Sequence, residues 1–469
     1  MMGGSGCGYA AAAGLRMMTF RTAPAIAEAR ALLALAVPLM LAQLAQMLMG
    51  YTDTLMVARV GALELAAVGT GLALWHPLYL AVTGLLMAES ALIARLAGAG
   101  RADAAGGLRR HARALALACA LPAVVLMNHA GPLLGALGVD AAIVPVAQDY
   151  LGALSFGVPG AFWYLAERYA IEGLGRTRPV LVAGLAAFVL NIGLNWLLIY
   201  GHLGLPALGA RGCGYATAAC FWLEACGLAW LNRRLPALRS HSPSPDAPGL
   251  RALLGLGLPI AAAVLFEVGI FCAVALALGR LGADAVAAHQ IALTTASLTF
   301  MIPLALAAAI TIRIGGALGA GDVPAARRAG WTGIALAAAF MALSATGIGF
   351  GAPWIAALYT GDAAVAALAV QLLHVAAAFQ ISDGLQVSAG GALRGLHDTR
   401  GPMLITLFAY WLIGFPFGWW LAFGHGQGAP GLWFGLVAGL SCAALLLNLR
   451  FRRGLARLQT AAPVLPESA

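Results

Sequence analysis

The sequence contains no lysine, and charged residues of all kinds fill only 10% of its 469 positions. A soluble domain carries about 25% charged residues. A water-facing surface cannot be built from so few, and with 62% of its residues apolar the chain is an integral membrane protein. Chemistry-bearing patterns are also scarce. No zinc-type ligand spacing, HExxH or GxSxG is present, so a membrane-embedded enzyme lacks its cluster. No arginine–aromatic motif for nucleic acid appears. The seven cysteines (Cys7, Cys119, Cys213, Cys220, Cys226, Cys272 and Cys442) form no CxxC pair and no disulfide frame, and read as small apolar fillers. A signal-peptide core is missing as well. Residues 1–30 are a Gly/Ala-rich leader carrying Arg16, Arg21 and Arg30, expected to be disordered, with Met17 or Met18 as alternative starts.

What the chain has in abundance is apolar length. Twelve segments reach the roughly 20 residues that cross a bilayer: 32–58, 64–95, 110–130, 141–165, 179–200, 211–231, 250–279, 284–312, 327–350, 362–393, 402–423 and 429–450. Pro38, Pro77, Pro159, Pro259 and Pro303 mark expected kinks. All 27 basic residues are arginine, and with the N-terminus in the cytoplasm all but Arg59, Arg211 and Arg280 fall on the cytoplasmic side. This asymmetry places both termini inside, and it accounts for the net charge of +9 without a nucleic-acid partner.

The chain also repeats itself. Pro38 matches Pro259, Gly61-Ala62 matches Gly282-Ala283, and Gly98-Ala99-Gly100 matches Gly319-Ala320-Gly321, all at an offset of 221; Pro179 and Pro402, like Gly201 and Gly424, lie 223 apart. The join is the polar stretch from Ser240 to Pro248, a linker by composition. The reading is an all-α membrane protein with two pseudo-twofold-related lobes of six helices: an N-lobe over 31–232, a cytoplasmic linker over 233–249, a C-lobe over 250–451 and a tail over 452–469. Parallel repeats of this kind are a recurrent transporter plan, with the binding site near mid-membrane.

Five acids fall deep in the spans: Asp53, Glu89, Glu224, Glu267 and Asp383. A charge at the bilayer centre costs about 2.5–3.5 kcal/mol on insertion scales and marks function by default. With no arginine mid-span, each acid must be protonated, hydrogen-bonded or bound to an external cation. Asp53 lies between Thr52 and Thr54, whose hydroxyls are candidates to orient it. Asn191 and Asn195 are one turn apart and share a helix face. Tyr51, Trp196, Phe266 and Trp411 are candidate cation–π contacts for a drug, although aromatics near span ends also act as interface anchors.

These residues bring a family into view. Pro38 to Gln43 running on to Gly50-Tyr51-Thr52-Asp53, Glu172-Gly-Leu-Gly175 to Pro179 followed by Asn191 and Asn195, Gly257-Leu-Pro259 through Glu267 to Ala288-His289-Gln290, and Asp383-Gly-Leu-Gln386 to Arg394-Gly395 together resemble the NorM-like branch of the multidrug and toxic compound extrusion (MATE) transporters. The resemblance runs from about residue 32 to 450. It implies two six-helix lobes in the bacterial inner membrane and antiport of amphipathic, often cationic drugs against Na⁺ or H⁺, by a monomer without a bound cofactor. It implies that Asp53 is the N-lobe coupling acid, with Asn191, Asn195 and Thr217 as companions, and that Glu267 and Asp383 are an acidic pair in the C-lobe; either set is a possible Na⁺ site. Phe379 departs from the pattern, standing where NorM-like members carry a tyrosine near the ion. A lipid-linked precursor flippase of the same superfamily is the second reading, and it predicts a more cationic cavity. A channel would not explain isolated acids in both lobes.

Overall fold

The computed structural model describes residues 25–239 and 248–461; residues 1–24 of the leader, the middle of the linker and the last eight residues lie outside them. In chain order the helices are α1 (Ala25–Ala58), α2 (Ala62–Gly98), α3 (Ala105–Asn128), α4 (Ala130–Ala136), α5 (Ile143–Ser155), α6 (Val158–Gly173), α7 (Arg178–Tyr200), α8 (Gly209–Arg233), α9 (Pro236–Arg239), α10 (Leu250–Leu278), α11 (Ala283–Gly319), α12 (Val323–Tyr359), α13 (Ala363–Gly395), α14 (Arg400–Leu407), α15 (Phe415–Trp419) and α16 (Gly428–Ala461). The twelve expected crossings are all present. Two are composite: α5 and α6 form the fourth, broken at Phe156-Gly157, and α14 and α15 form the eleventh, joined and ended by wider π-helical turns over Phe408–Gly414 and Trp420–Gly424. Among the described residues, ten helical rods, the composite eleventh crossing included, are long and apolar enough to span a membrane. The outward faces are apolar, as a lipid-facing surface requires: Leu121, Val189, Leu276, Leu343 and Phe350 are all well exposed.

Several boundaries differ from the expectation, each for a long-range reason. Helix α1 is already formed at Ala25, the first described residue, inside the expected leader. There Glu28 is buried and holds Arg313 of α11 with two bonds, 2.7 and 2.5 Å. The expected linker opens with α9, docked on α3 by the Arg109 guanidinium donating to the Leu238 carbonyl (2.9 Å). The expected tail continues α16, because Phe451 and Leu455 are buried in the core. Of the five kink positions only Pro159 stands at a break. Pro38, Pro77, Pro259 and Pro303 sit inside unbroken helices.

The repeat is visible in the packing. Helices α2 and α11 both run 37 residues and both start after a glycine, Gly61 or Gly282. A methyl group added to Gly98 would strike the Gly316 carbonyl, and one added to Gly319 would strike the Arg95 carbonyl. These two contacts exchange when the halves exchange, which is the mark of a twofold axis between them. Residues 82–94 of α2 and 303–317 of α11 are almost wholly buried, whereas their other halves are part-exposed. The lobes are therefore closed at the arginine-rich end and looser towards the opposite one. Two further contacts lock the closed end: Glu28–Arg313, and Arg95 donating to His397 Nδ1 (3.1 Å), whose Nε2 lies 3.3 Å from the Ala91 carbonyl.

Candidate functional site

Asp53 stands late in α1, buried, and accepts three side-chain hydrogen bonds. Asn191 Nδ2 (2.9 Å) and Asn195 Nδ2 (2.6 Å), both from α7, donate to Oδ1; the Thr217 hydroxyl of α8 (2.9 Å) donates to Oδ2. Asn195 also donates to Asn191 Oδ1 (3.0 Å), which ties the pair into one unit. The fold brings these residues together because Asn191 and Asn195 occupy one face of α7 and α7 packs between α1 and α8. All three donors are neutral, so the cluster solvates the carboxylate without cancelling its charge. Asn195 Oδ1 is buried and has no partner.

The neighbouring threonines behave differently from the expectation. Thr52 and Thr54 donate to the carbonyls of Leu48 and Gly50 one turn back, so their hydroxyls serve their own helix and do not orient Asp53. Tyr51 is half exposed and reaches across to Thr294 of α11, which places it between the lobes. Trp196 stacks on His202 with ring centroids 4.0 Å apart, and in the second lobe Trp420 meets His425 edge-on, also at 4.0 Å. Paired aromatics at matching span ends have the placement of interface anchors.

In the C-lobe, Gln386 of α13 gathers the acidic pair. Its Nε2 donates to Glu267 Oε1 of α10 (2.8 Å), and its side chain lies against Asp383, one turn earlier on α13. The Tyr410 hydroxyl, on the π-helical turn of the eleventh crossing, is buried with no partner and faces both acids. Gln386 stands in the sequence only as part of the family-like stretch from Asp383, without a role of its own, and Tyr410 does not stand out, since a lone tyrosine in an apolar span carries no spacing signal. Trp411 donates from its indole to the Phe266 carbonyl (3.1 Å), pinning that strip of the eleventh crossing beside Glu267. Phe379 packs on Trp433, with centroids 5.7 Å apart, as a core residue. His289 accepts from the Trp433 indole (3.2 Å) and also belongs to this core.

Glu89 and Glu224 are both buried, and no hydrogen-bond partner reaches either oxygen of either one. Glu89 lies near the arginine-rich end of α2 beside the Arg109–Glu167 ion pair, in which Glu167 also accepts from Asn232 and Trp163. Among the described residues, no cluster of three histidine, cysteine or carboxylate side chains has a geometry suited to a metal ion.

With this geometry in view, comparison with known proteins is decisive. The MatE family model matches residues 38–197 and again 259–420. The chain belongs to the MatE family. The starts of the two matches differ by 221 and their ends by 223, the same displacements as the internal repeat. Over 441 residues the chain is 43% identical to multidrug resistance protein PmpM of Pseudomonas aeruginosa, covering 92% of each. Among solved structures it matches the eukaryotic MATE transporter AtDTX14 (21% identical, TM-score 0.84, 93% of this chain and 99% of that one). It also matches a MATE structure in the straight conformation (25% identical, TM-score 0.83, 92% and 97%). The Asp53 cluster thus lies inside the first MatE repeat for Asp53, Asn191 and Asn195, and Glu267 and Asp383 lie inside the second.

Proposed function

We propose that this MatE-family protein is a multidrug exporter of the bacterial inner membrane. It acts as a monomer with both termini cytoplasmic and exchanges amphipathic, often cationic compounds for H⁺ or Na⁺ by alternating access of its two lobes. The observation that carries the reading is the Asp53 cluster: one buried carboxylate, three neutral donors and no counter-ion. The relative's name, multidrug resistance protein PmpM, supports the substrate class. Closure at the arginine-rich end and the part-exposed opposite halves of α2 and α11 support a rocking interface between the lobes.

The two oxygens of Asp53 are not equivalent. Oδ1 is engaged by two amide N–H donors, which cannot reverse their role. Oδ2 faces a hydroxyl, which can rotate and accept instead. A proton is therefore taken up at Oδ2, with Thr217 turning from donor to acceptor. A sodium ion would use Oδ2, the Thr217 oxygen and the unpartnered Asn195 Oδ1. Either ion neutralises the acid and removes the charge that a cationic drug is drawn to, and reciprocity makes the drug expel the ion by the same factor. Glu267, Asp383 and Gln386 offer a second acidic site in the C-lobe, and Tyr51, at the lobe boundary, is a candidate drug contact. The flippase reading finds no comparable support: Arg109, Arg168 and Arg313 are buried and each held by a glutamate, which leaves Arg394, with one unpartnered buried nitrogen, rather than the cationic lining a phosphate needs.

Binding of ethidium to the purified protein tests this reading. Affinity should fall as Na⁺ or H⁺ is raised, and Asp53→Asn should abolish that dependence. Affinity that follows neither ion would refute it.

A further inference from the structure

The N-lobe buries a second carboxylate that the Asp53 cluster does not use. Glu224 of α8 is 1% exposed, and neither of its oxygens has a hydrogen-bond partner. Cys213, Thr217, Cys220 and Glu224 follow one another at steps that keep them on one stripe of α8. Thr217 holds Asp53, and the Cys220 thiol donates to the Ala187 carbonyl of α7 (3.4 Å). On α1 the facing stripe carries Asp53, Met49 and Gln46. The first and sixth crossings run in opposite directions. Moving back along α1 from Asp53 and forward along α8 from Thr217 therefore reaches one common level, where Gln46 stands beside Glu224. At 1.5 Å per residue this level is about 10 Å from Asp53, towards the arginine-rich end.

The groups around Glu224 come from every neighbouring helix. Gln46 of α1 donates to the Tyr164 hydroxyl of α6 (3.2 Å). Tyr79 of α2, Tyr164 and Arg168 of α6, and Cys220 of α8 face the carboxylate, and α7 presents the Ala187 carbonyl already taken by Cys220. Arg168 is engaged by Glu172 (2.6 Å). With only the Gln46 amide and the already engaged Arg168 nearby, a carboxylate ion is costly in such a place, and taking up a proton relieves that cost. These neighbours do not supply the ring of six or more oxygens that a hard metal ion demands. The ligand that fits is a proton.

We propose that Glu224 is a second proton-binding group of the N-lobe, a relay that passes the proton delivered to Asp53 towards the arginine-rich end. The proposal rests on the reading of Asp53 as the coupling acid. In the step, the Asp53 acid gives its proton to the first of a short chain of waters, and the last water of that chain gives one of its own to the Glu224 carboxylate. Asp53 is left ionised in its cage of Asn191, Asn195 and Thr217, and Glu224 becomes neutral. Glu224 then releases its proton to water beyond the Arg168–Glu172 pair and returns to its starting state.

The test is ethidium transport by proteoliposomes of the full chain under an imposed pH gradient, from about pH 5.5 to 8.5, for wild type, Glu224→Gln, Glu224→Asp and Asp53→Asn. Glu224→Gln should lose about tenfold or more of the gradient-driven rate, as removal of a general acid–base group does. Glu224→Asp should retain transport with a displaced pH profile, which a merely structural role would not produce. A Glu224→Gln protein with wild-type rate and profile overturns the relay, as does a wild type driven by Na⁺ alone. If Glu224→Gln does not yield monodisperse protein, Glu224→Asp decides, and an unchanged profile overturns the proposal. Loss in Asp53→Asn with normal Glu224→Gln leaves the Asp53 reading standing and the relay refuted. Normal transport by Asp53→Asn with loss in Glu224→Gln refutes the Asp53 reading and the relay drawn from it.

Discussion

Replacing Glu28 by glutamine should loosen the arginine-rich end of the protein. Glu28 and Arg313 lie 3% and 6% exposed and meet through two bonds of 2.7 and 2.5 Å between α1 and α11, which belong to different lobes. Removing one partner of a buried ion pair costs about 3–5 kcal/mol, because the remaining charge loses its compensation. If the pair forms only while the lobes are closed at this end, that whole cost falls on the closed state. A shift of about 3 kcal/mol changes a two-state ratio by roughly 150-fold. Amide hydrogen exchange reads this directly: residues 82–94 of α2 and 303–317 of α11, which meet across the lobes as well as packing within their own, should exchange faster in Glu28→Gln, while α5 and α6 stay protected. The double variant Glu28→Leu with Arg313→Met should recover much of the protection, since apolar replacements of a buried pair are often neutral or stabilising. Unchanged exchange in both α2 and α11 would refute the reasoning.

Three other outcomes follow from single contacts. Thr217→Val keeps the shape of the side chain but removes the hydroxyl that donates to Asp53 Oδ2, so ion-dependent ethidium binding should weaken by about tenfold, while Thr54→Val, which loses only a bond to its own helix, should leave it within about twofold. Phe379→Tyr should lower stability by about 1–3 kcal/mol in thermal unfolding, because the new hydroxyl enters a core of Trp433 and other apolar side chains. His397, in the turn after α13, is pushed down to about 4 by burial and by Arg95. An unfolded histidine titrates near 6.5. Between those values the unfolded chain takes up a proton that the closed structure refuses, so stability should fall by up to about 3 kcal/mol as the pH drops from about 6.5 to 4, with no slope above. In His397→Gln the midpoint of thermal unfolding should lose that part of its acid dependence.

The residues that could be read ahead of the structure share one property: their signal is local or periodic. Asn191 and Asn195 announce a common face by their spacing, and Asp53 stands out as an acid in an apolar span. The repeat is legible in matched glycines and prolines, and it reappears as the equal lengths of α2 and α11. What escaped depends on partners far away in sequence. The helical course of α1 before residue 31 goes with Glu28 meeting Arg313, and the continuation of α16 with Phe451 and Leu455 finding a core. The hydroxyls of Thr52 and Thr54 adjoin Asp53 in sequence but bond to their own helix backbone. Tyr410 meets the C-lobe acids because the eleventh crossing folds against α10, and Gln386, one turn from Asp383, reaches Glu267 by a bond across to α10. Glu224 is legible as an acid in an apolar span, but nothing in sequence places Gln46 and Tyr164 beside it.

The central claim is that Asp53 couples ion movement to drug export. Ethidium efflux from proteoliposomes, driven in separate trials by a Na⁺ gradient and by a proton gradient, tests it most directly in wild type and Asp53→Asn. The account predicts gradient-driven efflux by the wild type under at least one ion and its loss in the variant. Full gradient-driven efflux by Asp53→Asn would contradict it.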